Sequence, residues 1–189
     1  MKDMIAERER ALENEFFVKQ NKHLLDKLRT EREHEEQRRA LAAQCGIDDP
    51  RLLDVLIAEG IEPQSVAALF VVPLVTVAWA DHEVVPAERQ EILAAAHASG
   101  IEQGTPAHEL IDYWLTNPPS PALRHAWHEF AETLCRLLEF DDHAEFVDVI
   151  LKGSKAVAQA AGGVLGLGPR ISRLEQETID RFAEALRAR

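Results

Sequence analysis

The chain has 189 residues, is 46% hydrophobic and carries a formal net charge of −12, with nine glycines and nine prolines. This length and hydrophobic content allow one domain of about 140 residues with a buried core, plus an appendage. Alanine, leucine and glutamate are plentiful and no long stretch alternates apolar with polar residues, so the composition favours helix over strand.

Charge is unevenly distributed along the chain. Residues 45–150 contain nineteen acidic and four basic residues, whereas residues 1–44 contain ten of each. An acidic centre repels phosphates, which argues against nucleic acid or an anionic membrane as a partner. It permits a divalent cation or a basic protein, and plain solubility explains it equally well.

The sequence also carries few signs of secretion or membrane insertion. The two cysteines, Cys45 and Cys135, do not make a disulfide framework. The N-terminus is charged from the start, unlike a signal peptide, and no apolar run reaches 18 residues. We therefore expect a cytoplasmic protein without a membrane span.

Residues 4–43 contain no glycine or proline and predict one long helix that ends at Gly46. Its apolar residues form two neighbouring groups, and such a helix cannot bury them alone. We expect residues 1–44 to dock on the domain, on a protein partner or in a homodimer, although the spacing fits a coiled coil poorly. The predicted interaction face consists of Leu12, Phe16, Phe17, Leu24 and Leu28.

Seven further helices are predicted, each opened by a capping residue or a proline. Their starts are Asp49, Pro63, Pro86, Thr105, Ser120, Asp141 or Asp142, and Ser172. The helix from Pro63 to Ala80 is intensely apolar, and Pro73 should kink it. The predicted fold is all-α: a compact bundle of about seven helices over residues 46–189, preceded by the long amphipathic helix.

The bundle has two related halves in the sequence. Each half contains an apolar helix, a short loop, and a helix with glutamate in its first turn. The glutamate stands four residues after one apolar residue and four before another. The matching residues are Val84, Glu88 and Ile92 in the first half, and Ile171, Glu175 and Ile179 in the second. Ser172 to Glu175 forms a capping box.

The first loop carries a recognisable pattern. Residues 78–91 read AWADHEVVPAERQE, which resembles the TerB-like (tellurite-resistance) domain: alanine, aspartate, glycine, a few variable residues, then a glutamate opening the next helix. Asp81 and Glu88 fall on the two acidic positions. His82 replaces the usual glycine, and Gly168 stands where an aspartate would match Asp81. The resemblance covers residues 46–189.

This resemblance implies a helical bundle whose acidic surface holds divalent metal, with a role in tellurite resistance or stress response. It implies no established catalytic activity. The role implied is that of a scaffold, sensor or adaptor.

The acidic loop is the first candidate site. If the hairpin closes tightly, its carboxylates could approach one point, which suits calcium or magnesium; His82 would favour a softer metal. The alternative is that Asp81 bonds loop amides and Glu88 stabilises the start of its helix. The candidate ligands are Asp81, Glu83, Glu88 and Glu91.

A second acidic cluster follows further along the chain. It consists of Asp141, Asp142, Glu145 and Asp148. Because like charges at three- and four-residue spacing repel, a cation or a basic partner would relieve the cost, and a solvated helix start is the alternative.

No catalytic arrangement of Ser-His-Asp or Cys-His type is legible, and the loop GGVLGLGPR lacks the residues of a phosphate-binding loop. We therefore predict a non-catalytic binding or adaptor module that works with a protein partner. The alternatives are a metal-dependent enzyme at the acidic loop and a structural oligomer assembled through the N-terminal helix.

Overall fold

The computed structural model describes residues 2–162 and 171–187, with side chains for residues 17–161 and 171–187. Across these residues it contains helices and no strand, which confirms the all-α prediction. The α-helices are α1 (Lys2–Cys45), α2 (Pro50–Ala58), α3 (Val72–Ala78), α4 (Pro86–Ala98), α5 (Pro106–Trp114), α6 (Pro121–Leu137), α7 (Phe140–Gly162) and α8 (Arg173–Ala185). Contacts divide the chain into two units, residues 1–39 and 40–189.

The first unit consists of α1, whose last residues belong to the second unit. The highly charged stretch stays helical because its charges pair one turn apart. Arg39 lies 2.9 Å and Arg38 2.8 Å from Glu35, and Lys27 lies 3.7 Å from Glu31. Such pairs each stabilise a helix by a few tenths of a kcal/mol, on the order of 0.3. Gly46, with φ +69°, ends the helix as predicted.

Most predicted helix starts of the second unit are confirmed by their caps. Asp49 accepts hydrogen bonds from the backbone N–H groups of Arg51 and Leu52. Thr105 and Ser120 cap α5 and α6 in the same way. The prediction for α7 is wrong by a residue or two, because the helix begins at Phe140 and places Asp141 and Asp142 inside its first turn.

The apolar segment is divided where one kinked helix was predicted. Pro63–Val71 forms a 3-10 helix, Val72–Ala78 forms α3, and Trp79–Asp81 forms a second 3-10 helix. The change from 3-10 to α occurs at Val72, which places Pro73 in the first turn of α3, where a backbone N–H has no partner within the helix and its absence costs nothing. All seven residues of α3 are buried, and α3 contacts α4, α6, α7 and α8.

Pro63–Asp81 is also long and apolar enough to cross a membrane by length and composition alone. The expectation that no helix spans a membrane stays a prediction. In the fold, 67% of the most apolar 18-residue window of this segment is buried inside the domain. A core helix gives the same signal as a membrane helix.

Two tryptophans fix the core around this segment. Trp127, with no exposed surface, donates its indole N–H to the Leu69 carbonyl at 2.8 Å and packs edge-on against Phe182. Trp79 donates to the Trp114 carbonyl at 2.8 Å. Cys135 is buried, as predicted for a core residue. Most of the loop GGVLGLGPR, including Gly168, lies outside the described residues.

Candidate functional site

The turn of the first hairpin begins where the second 3-10 helix ends. His82 follows it with φ +74° and is the one non-glycine residue with positive φ in the described part of the chain. This left-handed conformation costs an ordinary residue about 1 kcal/mol, which glycine avoids. His82 therefore occupies, under strain, the position where the TerB-like pattern has glycine.

Glu88 caps the helix that follows the turn. Its side chain is 1% exposed, and its carboxylate accepts a hydrogen bond from the Val85 backbone N–H at 2.9 Å. Val85 has no side-chain acceptor, so only the glutamate half of a capping box exists here. Glu88 therefore stabilises the start of α4, which agrees with the capping alternative given for this residue in the sequence analysis.

Glu175 does the same in the second hairpin. It is 3% exposed and accepts a hydrogen bond from the Ser172 backbone N–H, while its own N–H donates to the Ser172 hydroxyl at 3.2 Å. This confirms the predicted capping box. Ile92 and Ile179, four residues after the two glutamates, are both buried, so the sequence repeat corresponds to equivalent structures.

The fold brings the two capping glutamates within electrostatic reach of each other. Burial raises the pKa of Glu88 from its usual 4.5 to about 7, although the Val85 N–H lowers it in part. The negative charges of Asp81 and Glu175 raise it further. Asp81 and Glu175, one from each half of the domain, therefore both act on the ionisation of Glu88.

The other predicted ligands of the first site differ from Glu88 in their exposure to solvent. Asp81, Glu83 and Glu91 are exposed, whereas Glu88 is buried. Within the described ranges, no three His, Cys, Asp or Glu side chains are grouped so that they could hold a metal ion. A calcium or magnesium ion at this turn stays a prediction. Calorimetric titration of either ion tests it, and no heat with the wild type would remove it.

The second acidic cluster lies on a solvated helix surface. Asp141, Asp142, Glu145 and Asp148 are all exposed on the first turns of α7. Lys152 pairs with Asp148 at 2.7 Å, which neutralises part of the charge. This arrangement agrees with the simpler interpretation of a solvated helix start.

A cavity of about 720 Å³ lies beside the first turn, where the sequence indicated no site. Its wall is formed by the ends of α3 and of the second 3-10 helix, by the proline-rich loop before α6, and by α6 and α8. The apolar lining residues are Trp79, Pro118, Pro119, Pro121, Leu174 and Phe182. The basic lining residues are Arg124 and His128 of α6, Arg181 of α8, and His82 of the turn. No aspartate or glutamate lines the cavity in the described part of the chain.

The sequence only partly indicates that Arg124 and Arg181 lack an ion-pair partner on their own helices. Arg124 has no acidic residue three or four positions away, so nothing on its own helix can pair with it. Arg181 has Glu177 and Glu184 at that spacing, which predicts ordinary helix pairs. The structure instead pairs Glu177 with Arg173 at 2.7 Å.

Comparison with known proteins returned no relative. No family model matches the chain, and no curated protein or solved structure matches it significantly. The TerB-like resemblance therefore rests on the residues of the turn and on the matching hairpins.

Proposed function

We propose that this chain is a non-catalytic, intracellular binding module of TerB-like type that joins a protein assembly through α1. The helical domain of residues 46–189 is the module, and the exposed face of α1 is its docking element. Tellurite resistance or a related stress response is the setting that the TerB-like pattern implies.

The observation that carries this proposal is a cluster of exposed apolar side chains on α1. Five large apolar residues within twelve positions are each more than half exposed to solvent, whereas most large apolar side chains of a folded protein are buried. They are Phe17 (61%), Val18 (66%), Leu24 (54%), Leu25 (66%) and Leu28 (52%). An exposed apolar patch of this kind marks an interaction site more often than a chance surface. Leu12 and Phe16, also predicted for this face, have side chains outside the described set.

These five side chains form one stripe along the helix, which we call the docking face. At 100° per residue they cover about 120° of the helix circumference and about 18 Å of its length. A stripe this wide exceeds the narrow seam of a two-stranded coiled coil and suits insertion into an apolar groove. The occupant we propose is therefore a partner protein with such a groove.

The hairpin turns support a binding role without catalysis. The two buried carboxyl groups, Glu88 and Glu175, are both engaged with backbone N–H groups as helix caps. A general acid or base must reach a substrate, whereas Glu88 and Glu175 are only 1% and 3% exposed. Both glutamates are instead used to hold the ends of two helices.

Photo-crosslinking from the docking face tests the proposal. A photoreactive residue at position 21, which lies on the same stripe, is expected to crosslink one partner protein in cell lysate. The Leu24→Glu/Leu28→Glu variant should lose this product, because two buried charges would cost at least several kcal/mol, on the order of 5. Mass spectrometry of the crosslinked band identifies the partner.

A matched variant carries two new charges on the opposite face of α1. His23→Glu/Thr30→Glu alters exposed positions about 180° away from the stripe, so its crosslink should persist. Equal crosslinking in the wild type and in both variants would show that the docking face does not bind the partner. A product joining two copies of this chain would replace the adaptor with a self-assembling protein.

A further inference from the structure

We propose that the cavity between α6 and α8 binds a small organic anion that carries phosphate or carboxylate oxygens on a flat apolar body. This site is distinct from the docking face of α1 and does not depend on it. It would make the domain a ligand-responsive module, whichever protein it joins.

The two arginines of the cavity have no ion-pair partner among the described residues. Arg89 pairs with Asp112 at 2.7 Å and Arg173 with Glu177 at 2.7 Å, whereas the exposed Arg51 outside the cavity, like the two cavity arginines, has no ion-pair partner among the described residues. In a chain with a net charge of −12, two unpaired guanidinium groups facing one cavity form a local positive region. Guanidinium groups bind phosphate and carboxylate with two parallel hydrogen bonds, which a bound anion would supply.

His128 adds a polar group to the cavity wall, but its positive charge is disfavoured. Burial lowers the pKa of His128, and the charges of His125 and Arg181 lower it further while Glu132 opposes them. His128 of α6 and Arg181 of α8 line the same cavity. At the lining residue Ser120, the hydroxyl donates to the Glu59 carboxylate at 2.7 Å.

The apolar part of the cavity suits a flat body. The His128 ring stacks on the buried Phe182 ring at 5.2 Å and 15°, which fixes the orientation of the His128 ring in the wall. The aromatic rings that a ligand can touch are the half-buried ones of His128 and Trp79. The Trp79 indole N–H is already bonded to the Trp114 carbonyl, so the ring offers the cavity only apolar surface. Pro118, Pro119 and Pro121 form a stiff opposite wall, because the proline ring fixes φ.

The size of the cavity favours a small molecule over a macromolecular segment. A volume of about 720 Å³ falls inside the range of about 300–1,000 Å³ that is typical of ligand pockets. Pockets of that kind combine apolar surface with a few convergent polar groups. This cavity presents both kinds of surface in nearly equal measure, which suits a ligand that has a charged end and an apolar body.

Titration with phenyl phosphate, followed by ¹⁵N–¹H NMR of the full chain, tests this proposal. We expect saturable shifts of the Trp79 indole and the Phe182 amide, with a Kd on the order of 100 µM. Arg124→Met and Arg181→Met should each weaken binding about tenfold or more, because each removes a charge-assisted hydrogen bond. Both side chains are exposed, so neither change disturbs the core.

Two controls separate this site from general charge attraction. Arg51→Met removes an exposed arginine of α2 that lies outside the cavity, and binding should be unchanged. Inorganic phosphate should bind about tenfold or more weakly, because it lacks the apolar body. The proposal is overturned if shifts do not saturate by about 10 mM, if Arg51→Met weakens binding as much as the cavity variants, or if inorganic phosphate binds equally well.

Discussion

Replacement of Trp127 by alanine is expected to lower the free energy of unfolding by about 4 kcal/mol, the largest effect of any single change considered for this chain. Trp127 is fully buried, packs edge-on against Phe182 with ring centroids 4.8 Å apart, and donates to the Leu69 carbonyl. Alanine would leave a cavity and would remove one of the two hydrogen bonds that the Leu69 carbonyl accepts. Urea denaturation followed by far-ultraviolet circular dichroism measures the loss.

Two further variants separate these contributions. Trp127→Phe keeps most of the ring contact but removes one of the two donors to the Leu69 carbonyl, which still accepts from the Val72 backbone N–H, so a loss of about 1 kcal/mol is expected. Tyr113→Ala removes an aromatic ring that is 59% exposed and should change stability by less than about 0.5 kcal/mol. A loss below about 1 kcal/mol for Trp127→Ala would mean that this residue does not anchor the core.

Replacement of Glu88 by glutamine is expected to stabilise the domain at pH 8 and to have little effect near pH 5. Because the pKa of Glu88 is raised from 4.5 to about 7 in the folded state, the folded chain holds a proton that the unfolded chain has released. Stability from this group is complete below pH 4.5 and is lost as pH rises through about 7. Glutamine keeps the acceptor for the Val85 N–H and cannot ionise.

The expected gain at pH 8 is about 2 kcal/mol. The full pKa difference corresponds to about 3 kcal/mol, and partial screening by water reduces it. Urea denaturation at pH 5, 6, 7 and 8 measures the gain. Glu91→Gln, an exposed position one turn later, is the control and should follow the wild type at every pH. A Glu88→Gln variant that is less stable than the wild type at pH 8 would contradict the buried, protonatable cap.

Much of the fold could be predicted from local chemistry. Asp49, Thr105, Ser120 and Ser172 each cap a helix, and Gly46 ends α1 with a positive φ, because these signals depend only on neighbouring residues. The division of the apolar segment at Pro73 was predicted only as a kink. An apolar run does not distinguish 3-10 from α geometry, since both present the same side chains to a core.

The candidate sites depended more strongly on tertiary contacts. Glu88 and Glu175 could be recognised as equivalent from their spacing, but their burial and mutual influence depend on how the two hairpins pack. Arg124 and Arg181 lie on different helices, 57 positions apart in the sequence. No local pattern relates two such residues, so the cavity they share could be found only from the structure.

The two hairpins pack so that the negative charge of Glu175 raises the pKa of Glu88 at the base of the turn. The most direct measurement is the stability gain from Glu88→Gln at pH 8, determined in the wild-type chain and again in a Glu175→Gln chain. The gain should be smaller in the second background, because removing the charge at position 175 removes part of what raises the Glu88 pKa. An identical gain in both backgrounds would show that the two glutamates do not interact and would contradict this packing.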